Sequence, residues 1–302
     1  PQDGAAFLPQ WCSDMACYEC VADASADGQR VDACLRRFLP EIAGSVWQAS
    51  FRRRDVKING VRVKQDARVK CGDRVQAYCM EQQANPIDVV YEDADVLLVN
   101  KHAGISVERD DKGGVCLAEL ACRYVRMQDP QAWPPAPCHR LDNQTCGLIL
   151  FAKNPRAEEI LVRAFRERTL DKRYVCLVRG MMKPPAATCR AYLIKDAQKA
   201  RVQVLDHPAP GAKPIVTAYE TVEQGPVSRL LVHLVTGRTH QIRAHLAALG
   251  HPLLGDDVYG DRAFNRAKKA RRLMLCACQL TVNTGGELPQ LDGRTFRIEC
   301  PF

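Results

Sequence analysis

The chain has 302 residues, 46% hydrophobic and 26% charged, and carries a formal net charge of +8. That length exceeds one small core and suits two domains, and no apolar run is long enough for a helical membrane span. The positive balance is compatible with a polyanionic partner but does not name one.

The first twenty residues lack a basic segment followed by an apolar one, so no secretory signal is expected. They are acidic rather than Arg-rich, which argues against an organelle transit peptide. A cytoplasmic location is the expectation. Fifteen Cys are scattered along the chain, as suits a reducing compartment where Cys packs as a small hydrophobe. Cys12, Cys17 and Cys20 form C-x4-C-x2-C, part of a zinc or iron–sulfur ligand pattern. Nothing nearby completes it, so a Cys-rich tail without metal is expected.

In chain order, residues 1–28 read as a tail or lead-in. Val31, Leu35 and Phe38 recur at helical spacing and stop at Pro40. Ser45 can cap a second helix running to Arg54. The alternation of Val56-Lys57-Ile58 and Val61-Arg62-Val63 around Asn59-Gly60 is a hairpin signal. Gly72-Asp73 turns the chain into a closing strand over 74–78. The second helix ends in Arg52, Arg53 and Arg54, with Lys57, Arg62 and Lys64 close by. This is either a solvated charged surface or a face that tracks phosphates.

Residues 83–86 read as a linker, and 87–302 as a larger domain. Val96–Val99 and Leu148–Ala152 are buried strands. Asn154 and Pro155 open a helix whose apolar stripe is Ala157, Ile160, Leu161, Ala164 and Phe165. Lys172–Val178 is the following strand.

Three stretches carry polar groups suited to chemistry. His139, Arg140 and Asp142 sit where a Pro-rich loop enters the strand at Leu148. Asp142 alone reads as a turn residue bonding its own backbone. Tyr174 follows Lys172 at a strand start and alone reads as packing. Arg238, Thr239, His240, Gln241 and Arg243 crowd the start of a helix that Thr239 can cap and Gly250 ends. So many donors in one turn suit a carboxylate or phosphate; the plainer reading is a surface helix.

Taken together, these stretches resemble a known family. H-R-L-D-x-x-T-x-G, K-x-Y at a strand start and G-R-T-H-Q-I-R-x-H-L are similar to the signature segments of the RluA-type pseudouridine synthases. Tyr91-Glu92-Asp93, Asn100-Lys101, Gly255-Asp256 and Tyr259-Gly260 match as well. The likeness covers about residues 87–300. Ahead of it, Arg30-Val31-Asp32, Val56 to Gly60 and Gly72 to Val75 resemble the S-four-like (αL) RNA-binding module.

The resemblance implies an α+β pseudouridine synthase fold: a mixed, mostly antiparallel central sheet with flanking helices. A small α+β S-four-like domain over 29–82 would precede it. It implies a cofactor-free isomerase that turns uridine into pseudouridine, in large-subunit ribosomal RNA or, alternatively, transfer RNA. A non-catalytic RNA-binding or ribosome-assembly factor on the same scaffold is the reading from another class. The resemblance makes Asp142 the nucleophile, Arg243 its partner and Tyr174 the group that stacks on uracil. It also implicates Arg140 in holding the flipped base out of its helix. His139, Arg238, Thr239, His240 and Gln241, with Arg52, Arg53, Arg54 and Lys57, are expected to face RNA. A monomer is the default. Departures from the family pattern are Cys146 for Ser, His102 for Pro and Leu275-Cys276-Ala277 for Leu-His-Ala.

Overall fold

A computed structural model describes residues 15–39, 44–80, 87–109, 115–196 and 201–302. The chain divides near Pro86 into two compact units.

The first unit runs β1 (Met15–Val21), α1 (Val31–Phe38), α2 (Gly44–Arg53), β2 (Val56–Ile58), β3 (Val61–Arg62) and β4 (Arg74–Met80). Its sheet order is β1-β4-β2-β3. The β2–β3 turn places Asn59 at φ 50° and Gly60 at φ 82°, the left-handed pair that a two-residue hairpin needs. One face of the sheet packs on Val31, Leu35, Val46 and Trp47 of the two helices.

The irregular lead-in expected up to residue 28 is corrected: β1 pairs with β4 along its whole length. The mixed polarity of its MACYECV sequence hid it. Strand alternation sends Cys17 and Cys20 to opposite faces, so they cannot act as a close ligand pair. Cys12 and the expected linker at 83–86 lie outside the described residues. Among the described residues, no three His, Cys, Asp or Glu side chains converge as a metal set.

The second unit holds β5 (Val89–Glu92), β6 (Val96–Lys101), α3 (Leu117–Gln128), β7 (Ala136–Pro137), β8 (Cys146–Ala152), α4 (Pro155–Glu167) and β9 (Asp171–Arg179). It continues through β10 (Ala186–Asp196), β11 (Arg201–Leu205), β12 (Lys213–Glu223), β13 (Val227–Leu234), α5 (Gln241–Ala248), α6 (Arg262–Ala267), β14 (Leu275–Thr281) and β15 (Thr295–Arg297). The sheet runs β11-β10-β12-β13-β9-β14-β8-β6-β5, with β15 on β14 and β7 on β8. Every pairing in it is antiparallel except β14 with β8.

The apolar runs of β6 and β8 are explained by burial on both faces. Val96, Leu98, Leu148 and Leu150 enter one core, which α4 covers with Ala157, Ile160, Leu161 and Ala164. Leu97, Val99, Ile149 and Phe151 enter another, which α3 covers with Leu117, Leu120, Ala121 and Val125. Each large side chain so buried contributes about 1.5–3 kcal/mol. Asn154 caps α4 by accepting from Ala157 N at 2.9 Å, with Pro155 at the first helical position. A third core joins β9 and β13 to Ile242 and Leu246 of α5.

Beside the site, β14 passes close to β8. A Cβ on Gly147 would lie 2.4 Å from the Ala277 carbonyl oxygen, and Gly147 has φ +123°. Only glycine lets the two backbones approach this far at the strand entry.

Candidate active site

Asp142 lies in the loop between β7 and β8. Its carbonyl accepts from Thr145 N at 3.0 Å, closing a tight turn. The next carbonyl, that of Asn143, accepts from Gly104 N at 2.9 Å and from the Lys101 ammonium at 3.0 Å. Lys101 is fully buried and also donates to the carbonyls of His102 and Ile105 at 3.1 and 2.8 Å. One cation thus ties the 102–105 loop to the turn that carries Asp142. Burial pushes its pKa down to about 8, with Asp142 and Cys146 pulling the other way.

Arg243 projects from α5. Its Nη1 donates to Asp142 Oδ2 at 3.1 Å. The rest of the guanidinium is held from behind. Nε and Nη2 donate to the two Asp256 oxygens at 2.8 and 2.9 Å. Asp256 is fully buried and also accepts from Val258 N and Tyr259 N. Burial alone would raise the Asp256 pKa; the hydrogen bonds and charge of Arg243 outweigh it and hold the group below the ordinary carboxylate range. Burial likewise opposes the Arg243 charge, and the two carboxylates more than restore it. The Tyr259 ring lies 5.4 Å from the guanidinium carbon.

Tyr174 sits on the inner face of β9 among Ile242, Leu246, Ala277 and Leu141. Burial first, and then the charge of Asp142, push its hydroxyl above the ordinary phenol range. It is therefore a neutral ring beside a carboxylate.

Asp142, Tyr174 and Arg243 come from three separate segments and lie together. The remaining expectations divide. Arg140 is exposed and pairs only loosely with Glu108, at 3.4 Å. Arg238 and Thr239 are exposed in the loop before α5.

Gln241 is a correction. It is buried, and its amide donates to Val216 O and Thr217 Oγ1 while its oxygen accepts from Thr236 Oγ1 and Arg238 N. It braces the loop and has nothing left for RNA. His139 is another. Its Nε2 accepts from Leu150 N at 3.1 Å, its ring stacks on Phe165 at 4.5 Å, and burial pushes its pKa down to about 3. It anchors the strand entry.

Thr239 does not cap α5; the cap position is His240, at φ 52°. Nor is α5 a surface helix, since Gln241 to Leu246 are all buried. Arg243, the donor expected to meet an anion, is met by carboxylates of the chain itself.

In the first unit Arg52, Arg53 and Arg54 are exposed at the end of α2. Arg53 pairs with Asp55, and Lys57 lies 5.1 Å over the Tyr78 ring.

Asp256, Tyr259 and Lys101 match the family pattern, but the sequence assigns them no role. The signal that could have found them was their company. Gly255 and Gly260 flank the Asp256 loop, and a Cβ at either would collide with backbone, at 1.7 and 2.1 Å. A loop with two such glycines is shaped to fit something.

The departures are absorbed locally. The Cys146 thiol donates to Leu275 O at 3.5 Å, opposite Cys276 in the β8–β14 register. His102 contributes only a carbonyl to Lys101.

A carboxylate with one oxygen on a fixed guanidinium, beside a neutral aromatic ring, can act as a nucleophile or base on a planar heterocycle. The match to known proteins fits that chemistry. Residues 95–248 match the family model described as RNA pseudouridylate synthase. A ribosomal large subunit pseudouridine synthase C from Escherichia coli is 32% identical over 300 residues, which is 92% of this chain and 91% of that protein.

The chain belongs to the RNA pseudouridylate synthase family.

A Vibrio cholerae protein of the same name is 35% identical over 261 residues, 80% of each chain. Human RNA pseudouridylate synthase domain containing 1 superposes with a TM-score of 0.54 at 30% identity, covering 71% of this chain and 89% of that one. Its domain containing 4 counterpart gives a TM-score of 0.59 at 22% identity over 71% and 88%, a likeness of fold. The mixed, mostly antiparallel sheet with flanking helices is thus a pseudouridine synthase fold, and the chain is an isomerase that acts on RNA.

Proposed function

We propose that this enzyme isomerises specific uridines of large-subunit ribosomal RNA, with Asp142 as its nucleophile. The observation that carries the reading is the Asp142–Arg243 pair at 3.1 Å beside Tyr174. Relatives named for the large ribosomal subunit favour that RNA over transfer RNA.

The reaction breaks the bond between uracil nitrogen and ribose, turns the base and rejoins it through ring carbon five. No atom or electron leaves the pair. Asp142 attacks the anomeric carbon or ring carbon six, or draws a ribose proton to open a glycal route. An activated water would hydrolyse the detached sugar, so a single carboxylate in a dry cleft fits better than a pair. Arg243 holds one oxygen of that carboxylate by a hydrogen bond of 3.1 Å and so fixes its orientation.

Tyr174 stacks on uracil. As a neutral phenol it can take the proton from ring carbon five only if it gives up its own in the same step. Arg140, exposed and loosely paired, fills the gap left by the flipped base.

The unit over 15–80 serves as an S-four-like RNA-binding domain, with Arg52, Arg53, Arg54 and Lys57 along the phosphates. Exposed Lys268, Lys269, Arg271 and Arg272 add backbone contacts. The enzyme works as a cytoplasmic monomer; among the described residues no helix is long and apolar enough to cross a membrane.

The test maps pseudouridine across total RNA by carbodiimide chemistry, in the source organism with and without the gene. One or a few large-subunit sites disappear, and wild type restores them while Asp142→Asn does not. If every site persists without the gene, or Asp142→Asn restores them, the assignment fails.

A further inference from the structure

His240 is held in a way that capping α5 does not explain. It occupies the cap position in the left-handed region, at φ 52°, and its side chain makes no capping hydrogen bond. A β-carbon residue there carries a backbone cost that something else must offset. The imidazole instead reaches into the site. Its Nδ1 lies 3.0 Å from the Tyr259 hydroxyl, and its Nε2 lies 3.9 Å from Asp142 Oδ2.

The Tyr259 hydroxyl can select which nitrogen carries the proton. Its oxygen accepts from Val202 N at 2.9 Å, which leaves its own proton free to be donated to His240 Nδ1, 3.0 Å away. With Nδ1 as acceptor, the ring proton of a neutral imidazole sits on Nε2, the nitrogen that points at Asp142.

Burial favours that neutral form. It lowers the His240 pKa, with Asp142, Asp256 and Asp257 pulling the other way and Arg243 adding to the lowering. Arg243 and His240 both approach the same Asp142 oxygen, Oδ2. Among the described residues no hydrogen bond engages Oδ1.

We propose that His240 is a positioning residue whose Nε2–H, fixed by the Tyr259 hydroxyl, orients Asp142 so that Oδ1 faces the substrate. The inference rests on Asp142 being the reacting carboxylate. A hydrogen bond needs the present gap to shorten by about 1 Å, as is common when a site closes on its substrate.

Two substitutions separate this role from a backbone one. Gln places an N–H near the Nε2 position, whereas Asn places one near Nδ1. Asn, however, tolerates the left-handed backbone far better than Gln. A residue needed only to start α5 is therefore replaced best by Asn; one needed for its Nε2–H is replaced best by Gln.

The experiment measures kcat and KM for the full chain on an unmodified large-subunit ribosomal RNA transcript, with melting temperatures alongside. We expect kcat of His240→Gln to exceed that of His240→Asn at least fivefold, with similar KM, although His240→Asn melts no lower. Tyr259→Phe lowers kcat about tenfold. Equal rates, or a faster Asn variant, overturn the proposal.

A second readout does not depend on activity. Two-bond proton–nitrogen correlation spectra of the 15N-labelled protein assign the His240 ring, with His240→Gln identifying its peaks. The proton sits on Nε2 in wild type and is shared with Nδ1 in Tyr259→Phe. An Nδ1–H ring in wild type refutes the relay. Wild type that makes no pseudouridine defeats the catalytic reading, and the spectra still decide the tautomer.

Discussion

Replacing Asp256 by Asn tests whether Arg243 is a built part of the site. The carboxylate is fully buried, Arg243 is 4% exposed, and they share hydrogen bonds of 2.8 and 2.9 Å. An Asn oxygen can still accept from Val258 N and Tyr259 N. Its NH2 then faces Arg243 Nε, and a buried cation loses half of its bidentate partner. Breaking a buried pair from one side costs about 3–5 kcal/mol. In a unit of this size each kcal/mol lowers the melting temperature by about 2–4 °C, so the fall should be about 6–20 °C.

Activity should fall too, because the guanidinium is no longer aimed at Asp142. Calorimetry and single-turnover assays on the same preparations measure both. The double variant Asp256→Asn with Arg243→Met should melt above Asp256→Asn alone, since it removes the stranded charge. A single variant that melts within about 2 °C of wild type and turns over normally would refute the reasoning.

Two further predictions follow from charge. Lys101 has a folded pKa of about 8 against 10.5 when unfolded. Between those values the unfolded chain binds the extra proton, so this group makes stability rise with pH across that window. Urea unfolding at pH 7.5 and 10 should show a rise in wild type that Lys101→Met flattens, by about 3 kcal/mol at most; parallel curves for the two proteins would count against a buried ammonium. Converting Arg52, Arg53 and Arg54 to Ala should weaken RNA binding and reduce the slope of log affinity against log salt by roughly one for each phosphate no longer neutralised. An unchanged slope in filter binding would take α2 off the RNA.

How much of this was legible depended on distance along the chain. The Asn59-Gly60 hairpin and the Asn154-Pro155 helix start were readable because each is decided by adjacent residues. Strand β1 was not, because what makes MACYECV a strand is β4, more than fifty residues on. Gln241 looked like a free donor for the same reason. Its partners Val216 and Thr217 lie on β12, and nothing beside it in sequence announces them.

The pairing of Asp142 with Arg243 spans 101 residues and no periodicity predicts it. Only family resemblance reaches it from the sequence. Asp256 shows what that route leaves out: a matching position was visible, but its work behind Arg243 shows only in the fold.

The same separation has a consequence for how the enzyme comes into being. At about 5–20 residues per second of synthesis, Arg243 is added roughly 5–20 s after Asp142. The strand that Gly147 must nestle against, β14, comes later still, although it sits between β8 and β9 in the finished sheet. Until it inserts, β8 and β9 have no shared neighbour, and the carboxylate hangs on an unfinished edge. Each molecule thus passes through a period in which it has Asp142 and no completed site, and it leaves that period only once β14 has been made.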